Sequence, residues 1–241
     1  MTKIFGIVVV KDEDIFIERV VSNIVEFCDE VLVLDNHSTD HTYDIVEQLT
    51  RTHNNIYLQK WDNIGNSGDT IRHLVGEDCW VFGVDGDEIY DPIGLSKMRK
   101  DILSGKYDDV FDIKGSFMHC NEIDEDTKMV SGWLDARYGD KLYNMSHLQY
   151  WHMSERLHGA RLHKNGDTHM DVNGRIFLNE EDGGPYAWED SPLRCVHTCF
   201  LRRSSNDPED VSPRQHPLAE FNYKQKKYVG KNLIKKHAPF I

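Results

Sequence analysis

The sequence predicts an α/β fold: a mostly parallel, Rossmann-like sheet flanked by helices and joined to a smaller mixed sheet. Three observations predict it. Residues 3–92 alternate β-branched apolar runs with stretches of helical periodicity, as parallel strands linked by crossover helices require. Carboxylates end two of those runs, in Leu34-Asp35 and Val84-Asp85, where open α/β sheets place their ligands. Beyond residue 93 the pattern changes to extended segments around a polar turn, with Trp, Tyr and His concentrated after them. No Pro/Ser-rich linker divides the chain, so residues 1–241 read as one domain with two halves, 1–92 and 93–241.

Each element has its own reason. Ile4–Val10 is a continuous apolar run, expected of a strand buried on both faces. Asp14–Cys28 carries Ile15, Ile17, Val20, Val21, Ile24, Val25 and Phe27 at helical spacing. Val31–Leu34 is a second buried strand. Ser38 or Thr39 can cap a helix carrying Tyr43, Ile45, Val46 and Leu49. Ile56–Gln59 is a short third strand. The loop Asp62–Gly68 leads to a helix around Asp69–Gly76, and Cys79–Val84 is a fourth strand. A helix is expected near Gly94–Leu103, then strands near Val110–His119 and Met129–Asp135 about the turn Asn121–Thr127. A last short strand is expected at Cys195–Leu201.

Composition narrows the function. The chain has 41 acidic and 28 basic residues, a net charge of −13, which lacks the basic footprint that nucleic acid requires. Residues 221–241 hold six lysines (Lys224, Lys226, Lys227, Lys231, Lys235 and Lys236) and no acid, so the rest carries −19. We read this tail as a solvated helix face that offers at most weak, reversible contact with an anionic membrane surface. No apolar run approaches the roughly 20 residues of a membrane span, and no signal peptide is expected. The cysteines Cys28, Cys79, Cys120, Cys195 and Cys199 are odd in number and scattered, which points to a reducing, cytoplasmic setting. Cys195 and Cys199 read as core or strand residues.

Two constellations can carry chemistry. In Asp85-Gly86-Asp87-Glu88, two carboxylates two apart follow a strand. Hard divalent cations take oxygen ligands and bridge phosphates, so this pattern suits a nucleotide diphosphate. Taken alone, the triplet reads as a polar turn after a strand. In Leu34-Asp35-Asn36-His37-Ser38-Thr39-Asp40-His41-Thr42, a carboxylate at a strand tip precedes a capped helix and can read a base or ribose edge.

With the opening Ile7-Val8-Val9-Val10-Lys11-Asp12-Glu13, these stretches resemble a family 2-type glycosyltransferase of the GT-A fold. The first run resembles that family's Asn-Glu or Asp-Glu motif after an apolar strand. The second resembles its D-[DGN]-x-S-x-D-x-T stretch, and Asp85-Gly86-Asp87 sits where its Asp-x-Asp lies. The match covers roughly residues 3–92, with three motifs in order. The resemblance implies a nucleotide-sugar donor bound by residues 1–92 and an acceptor, a glycan or lipid-linked molecule, bound by residues 93–241. Asp35 would bond the base, with the backbone near Val10, Lys11 and Asp12 around it. Asp85 and Gly86 would face the ribose or the metal, and Asp87 would bind Mn²⁺ or Mg²⁺. Asp87 is expected at a strand end, outside the core. Arg72 can contact the phosphates, and His197 is the candidate third metal ligand.

An inverting transfer also needs a carboxylate base. Glu180, Glu181 and Asp182 are preferred, Asp190 comes second, and Glu155 is a third option. Trp133, Tyr138, Tyr143, Tyr150, Trp151 and Trp188 suit an acceptor cleft as well as they suit core packing. The alternatives are a sugar-1-phosphate nucleotidyltransferase, which normally has a Gly-rich, Arg-containing loop where this chain has Lys11–Asp14, and a non-catalytic nucleotide- or carbohydrate-binding module.

Overall fold

The computed structural model describes residues 2–134, 139–148, 175–177, 188–208 and 233–241. Strand β1 (Lys3–Val10) lies at the centre of a parallel sheet, between β2 (Glu30–Asp35) and β4 (Cys79–Asp85), and β3 (Ile56–Lys60) flanks β2. β1 has no exposed residue beyond Lys3, as expected of a strand covered on both faces. Helix α1 (Ile17–Ile24) buries Ile17, Val20, Val21 and Ile24, the i, i+3, i+4, i+7 stripe of an amphipathic helix. Asn55 finishes that helix, donating its Nδ2 to the carbonyls of Val25 at 3.1 Å and Cys28 at 3.3 Å. Helix α2 (Thr42–Thr52) packs behind it through Val46. Before β4 the chain forms a kinked 3-10 segment, Ile64–Leu74, where the sequence predicts an ordinary helix. Non-helical dihedrals at Asn66 break it into short pieces.

After β4 comes a tight turn and then β5 (Glu88–Tyr90). Helix α3 (Pro92–Leu103) starts where Asp91 caps the Ile93 N–H at 3.0 Å and Pro92 occupies the first turn. The predicted strand at Val110–His119 is longer than its apolar run suggests: β6 spans Val110–Asp124, 15 residues. That length lets it serve both halves. Its first part pairs with β8 (Gly139–Asn144) and β9 (Arg175–Phe177), and its second with β7 (Met129–Leu134) and β10 (Arg194–His197). β8 in turn pairs antiparallel with β4, so the parallel sheet and the mixed sheet are continuous through β8 and β6. This is the GT-A-type arrangement that the resemblance implied.

The lysine-rich segment departs from expectation. Its described part, β11 (Ile234–His237), is a strand paired antiparallel with β7, not a helix. Its side chains alternate in exposure, so Lys235 points to solvent as edge-strand lysines do. Lys224, Lys226, Lys227 and Lys231 lie outside the described residues. Two cores fill the faces of the sheet. In the larger, Phe82 meets Tyr90 and Phe27 edge-on at 4.9 and 5.2 Å. Tyr143 and Trp188 are buried in these cores rather than lining a cleft.

Candidate active site at the strand ends

The register of the parallel strands assembles the site. Val10 stands beside Asp35 and Val9 beside Asp85, so all three motifs end at one sheet edge. Two backbone bonds seal the junction: the Asn36 N–H reaches Val10 O at 2.9 Å, and the Gly86 N–H reaches Val9 O at 3.0 Å. Asp35 is buried. Its Oδ1 accepts from the Ser38 N–H at 3.1 Å, while Oδ2 has no hydrogen-bond partner among the described residues. A buried carboxylate oxygen in that state can accept a further hydrogen bond.

The loop after β1 is fastened to the loop after β2. Asp12, in the left-handed region at φ 51°, accepts from the Thr39 N–H at 2.6 Å and its hydroxyl at 3.1 Å. The Glu13 N–H donates to Thr42 Oγ1 at 2.8 Å. Asp12 therefore shapes this corner by holding its neighbour loop, and Lys11 is exposed beside it. The segment after β10 closes over both loops. Ser204 donates to Asp40 at 2.6 Å, and the Ser205 N–H donates to Asp14 at 2.7 Å. Burial pushes the Asp40 carboxyl up, but the hydroxyls of Ser204 and Thr42 and nearby N–H groups outweigh it and hold it below the ordinary range.

Asp87 is the centre of the arrangement, and it is not outside the core as expected. It is 1% exposed, because β10 and the turn that follows pack across it. Its backbone carbonyl accepts from the Thr198 N–H at 2.8 Å. Its Oδ1 lies 3.2 Å from His197 Nε2, and its Oδ2 lies 3.0 Å from Arg203 Nη1. The same guanidinium nitrogen pairs with Glu13. Burial works against a charge on Arg203, but Glu13 and Asp87 hold it firmly cationic. Gly86 has to be glycine, since a Cβ there would stand 2.0 Å from Glu13 Oε2.

Behind this edge lies a second buried pair. Lys141 Nζ sits 2.8 Å from both oxygens of Glu88, and Glu88 also accepts from the Asp85 N–H at 3.1 Å. β10 adds His197 opposite Glu88 on one side and opposite His119 on the other. The Nδ1 atoms of His119 and His197 are 2.9 Å apart, and Cys199 Sγ lies 3.5 Å from His119 Nδ1. For His197, burial disfavours the charge, but Cys199 and Asp87 raise its basicity above that of an ordinary imidazole. For Cys199, burial favours the thiol, but His197 and His119 draw it below an ordinary thiol. Cys199 is thus more than the strand or core residue that its sequence suggests, and it lies beyond the end of β10.

The remaining predicted residues fall elsewhere. Arg72 is exposed on the 3-10 segment and paired with Asp69. Asp190 is exposed in a single turn before β10, and the whole of that strand separates it from His197. Glu155, Glu180, Glu181, Asp182, Tyr138, Tyr150 and Trp151 lie outside the described residues. Glu13, Glu88, Lys141, Arg203, His119 and Cys199 are site neighbours that sequence reasoning did not single out. Of these, Glu13 stood in the Asp-Glu pair and Glu88 in the Asp85-Gly86-Asp87-Glu88 stretch already noticed.

The sequence is similar to those of known glycosyltransferases. The family description "Glycosyl transferase family 2" matches residues 7–182. A Rickettsia felis protein named as an uncharacterized glycosyltransferase is 26% identical over 228 residues, covering 92% of this chain and 74% of that protein. A Rickettsia conorii protein named likewise is 26% identical over 226 residues, covering 91% and 74%. Among solved structures, S. aureus TarS 1-349 in complex with UDP is 20% identical with a TM-score of 0.44, covering 63% of this chain and 50% of that one. Glucosyl-3-phosphoglycerate synthase from Mycobacterium tuberculosis, in complex with Mn²⁺ and UDP-glucose, is 18% identical with a TM-score of 0.37, covering 48% and 44%. The chain therefore spans about half the length of these solved structures. No helix among the described residues is long and apolar enough to cross a membrane. The family match takes in well over half of the chain, from the first strand past both carboxylate motifs, and the chain belongs to glycosyl transferase family 2.

Proposed function

We propose that this glycosyltransferase takes its sugar from a nucleotide-sugar bound at the ends of β1, β2 and β4, with the help of a divalent cation. The observation that carries the reading is the convergence of Asp35, Asp85 and Asp87 at one sheet edge, with His197 Nε2 placed 3.2 Å from Asp87 Oδ1. Asp35 would accept from the base through its unpartnered oxygen, and Asp85, half-buried at the tip of β4, would face the ribose and the cation.

The donor set fits Mn²⁺ or Mg²⁺. Adjacent ligand atoms of an octahedral ion with bonds of about 2.1 Å lie about 3 Å apart, close to the Asp87–His197 separation. When bound, such an ion would neutralise the departing diphosphate. Arg203 supplies fixed positive charge to the same carboxylate and holds Asp87 and Glu13 in place. Inversion at the sugar carbon would have a carboxylate take the proton of the acceptor hydroxyl. Glu180, Glu181 and Asp182 are the candidates, because Asp190 lies beyond the far end of β10. The acceptor would be a glycan or a lipid-linked molecule, met in the cytoplasm. Of the Lys-rich segment, Lys236 pairs with Glu189 and Lys235 is exposed. Family membership favours sugar transfer over nucleotidyl transfer and over a non-catalytic module.

The test is calorimetric titration of the full chain with nucleoside diphosphates and nucleotide-sugars, with and without Mn²⁺. We expect one nucleotide to bind only with Mn²⁺, and Asp87→Asn to abolish that binding. Metal-independent binding, or unchanged binding in Asp87→Asn, would overturn the reading. Glu180→Gln, Glu181→Gln or Asp182→Asn, made singly, should identify the base as the variant that keeps donor affinity and loses turnover, and Asp190→Asn should keep both.

A further inference from the structure

Behind Asp87, three side chains from separate parts of the chain converge: His119 in β6, His197 at the end of β10, and Cys199 two residues later. They are 7%, 6% and 0% exposed, and their ligand atoms lie within 4.8 Å of one another. We propose that these three residues form a second metal site, specific for a zinc-class transition ion and distinct from the hard-cation position at Asp85 and Asp87.

Chemistry and geometry both support it. Two imidazoles and a thiolate form a borderline-to-soft set, which prefers Zn²⁺ or Co²⁺ over Mg²⁺ and Mn²⁺. In a tetrahedral zinc centre, bonds of about 2.05 Å to nitrogen and about 2.3 Å to sulfur place neighbouring nitrogens about 3.3 Å apart and nitrogen and sulfur about 3.6 Å apart. The His119–His197 and His119–Cys199 distances here are 2.9 Å and 3.5 Å, within a few tenths of an ångström of those values, and all three ligand atoms lie within 4.8 Å of one another. His197 also has a carboxylate close to where the outer partner of a metal-bound imidazole stands: Nδ1 lies 2.9 Å from His119 Nδ1, and Nε2 lies 3.2 Å from Asp87 Oδ1. Phe117, Phe200 and Trp133 wall the cluster with aromatic surface, which restricts water. Ion binding forms a metal–sulfur bond and releases the thiol proton to solvent.

The site itself does not depend on the donor reading, but its consequence does. An ion on His197 Nδ1 leaves the ring proton on Nε2, where it is donated to Asp87. That imidazole then has no lone pair for the donor-site cation. Zinc in the second site therefore opposes Mn²⁺-dependent nucleotide binding.

The experiment titrates the metal-free full chain with Co²⁺ and records its absorption. We expect one Co²⁺ per chain, tetrahedral bands in the visible, a sulfur-to-cobalt charge-transfer band in the near ultraviolet, and displacement of both by Zn²⁺. Cys199→Ser should lose the charge-transfer band, and His119→Gln should weaken binding by at least about 10–100-fold, because losing a ligand costs at least as much as losing an outer partner. A folded wild-type chain without the charge-transfer band would overturn the proposal, as would a band that persists in Cys199→Ser. A second arm measures Mn²⁺-dependent binding of the nucleoside diphosphate that the calorimetric panel selects. Zn²⁺ should weaken it at least tenfold in the wild type and not in Cys199→Ser. A cobalt–thiolate band without Mn²⁺-dependent nucleotide binding would sink the donor reading alone. The reverse pattern would sink the zinc site alone.

Discussion

Gly86 and Glu13 approach so closely that a single methyl group on the glycine would stand 2.0 Å from the glutamate's Oε2. The same carbon would come within 2.8 Å of a Val10 methyl, so it has no clear direction of escape. Gly86→Ala should therefore lower stability by about 1–3 kcal/mol, the usual cost of overpacking. It should also weaken nucleotide binding, because a displaced Glu13 carries Arg203 with it. Urea denaturation and calorimetry on the same preparation would check both effects.

Arg203 is the shared cation of Glu13 and Asp87, and all three are largely buried. Removing it strands two carboxylates in a poorly solvated place. Arg203→Met should cost about 3–5 kcal/mol in the absence of metal. Mn²⁺ should restore part of that loss, so its effect on Tm should be larger in the variant than in the wild type. Equal Tm shifts would show that the ion does not bind beside Asp87.

The Glu88–Lys141 pair has side chains 3% and 4% exposed. Breaking it from one side should be worse than removing it whole. Lys141→Met is expected to lose about 3–5 kcal/mol, and adding Glu88→Gln should recover a good part of the loss. A double-mutant cycle by denaturant unfolding reads the difference directly.

Asp29 gives the pH dependence a sign. Burial raises its carboxyl, but bonds from Arg99 at 2.6 Å and from the Ile4 N–H at 2.7 Å bring it below the ordinary value. A depressed folded-state pKa contributes stability above the unfolded value, and that stability is lost as pH falls through the folded one. The wild type should therefore lose this contribution below about pH 4. Asp29→Asn should be the less stable protein at pH 7, and the gap should narrow as the solution is acidified. Thermal melts across that range would show it.

Much of the donor half was legible because its physics is local. A strand covered on both faces needs an unbroken apolar run, and Val31–Leu34 and Cys79–Val84 provide one. The carboxylates at their tips fall in place once the strands are parallel and in register. The rest was hidden for equally physical reasons. β6 continues through the polar residues Asn121, Glu122 and Asp124 because neighbouring strands pair with its backbone, which no side-chain pattern reveals. β11 reads as a solvated lysine stretch because an edge strand carries lysines on its open side. His119 and Cys199 are 80 residues apart and meet only through the pairing of β10 with β6. Asp87 looked exposed because the turn that covers it arrives more than a hundred residues later in the chain.

That late arrival has a consequence for how the protein is made. The segment from Arg203 to Ser205 bonds to Glu13, Asp14 and Asp40, across separations of up to 191 residues. Until that segment is made, the edge formed by the first four strands lacks Arg203 and the cover it brings. Contacts so distant in sequence form slowly and late. The carboxylate edge is therefore closed only once the segment from Arg203 to Ser205 has been made, long after the strands that carry its carboxylates.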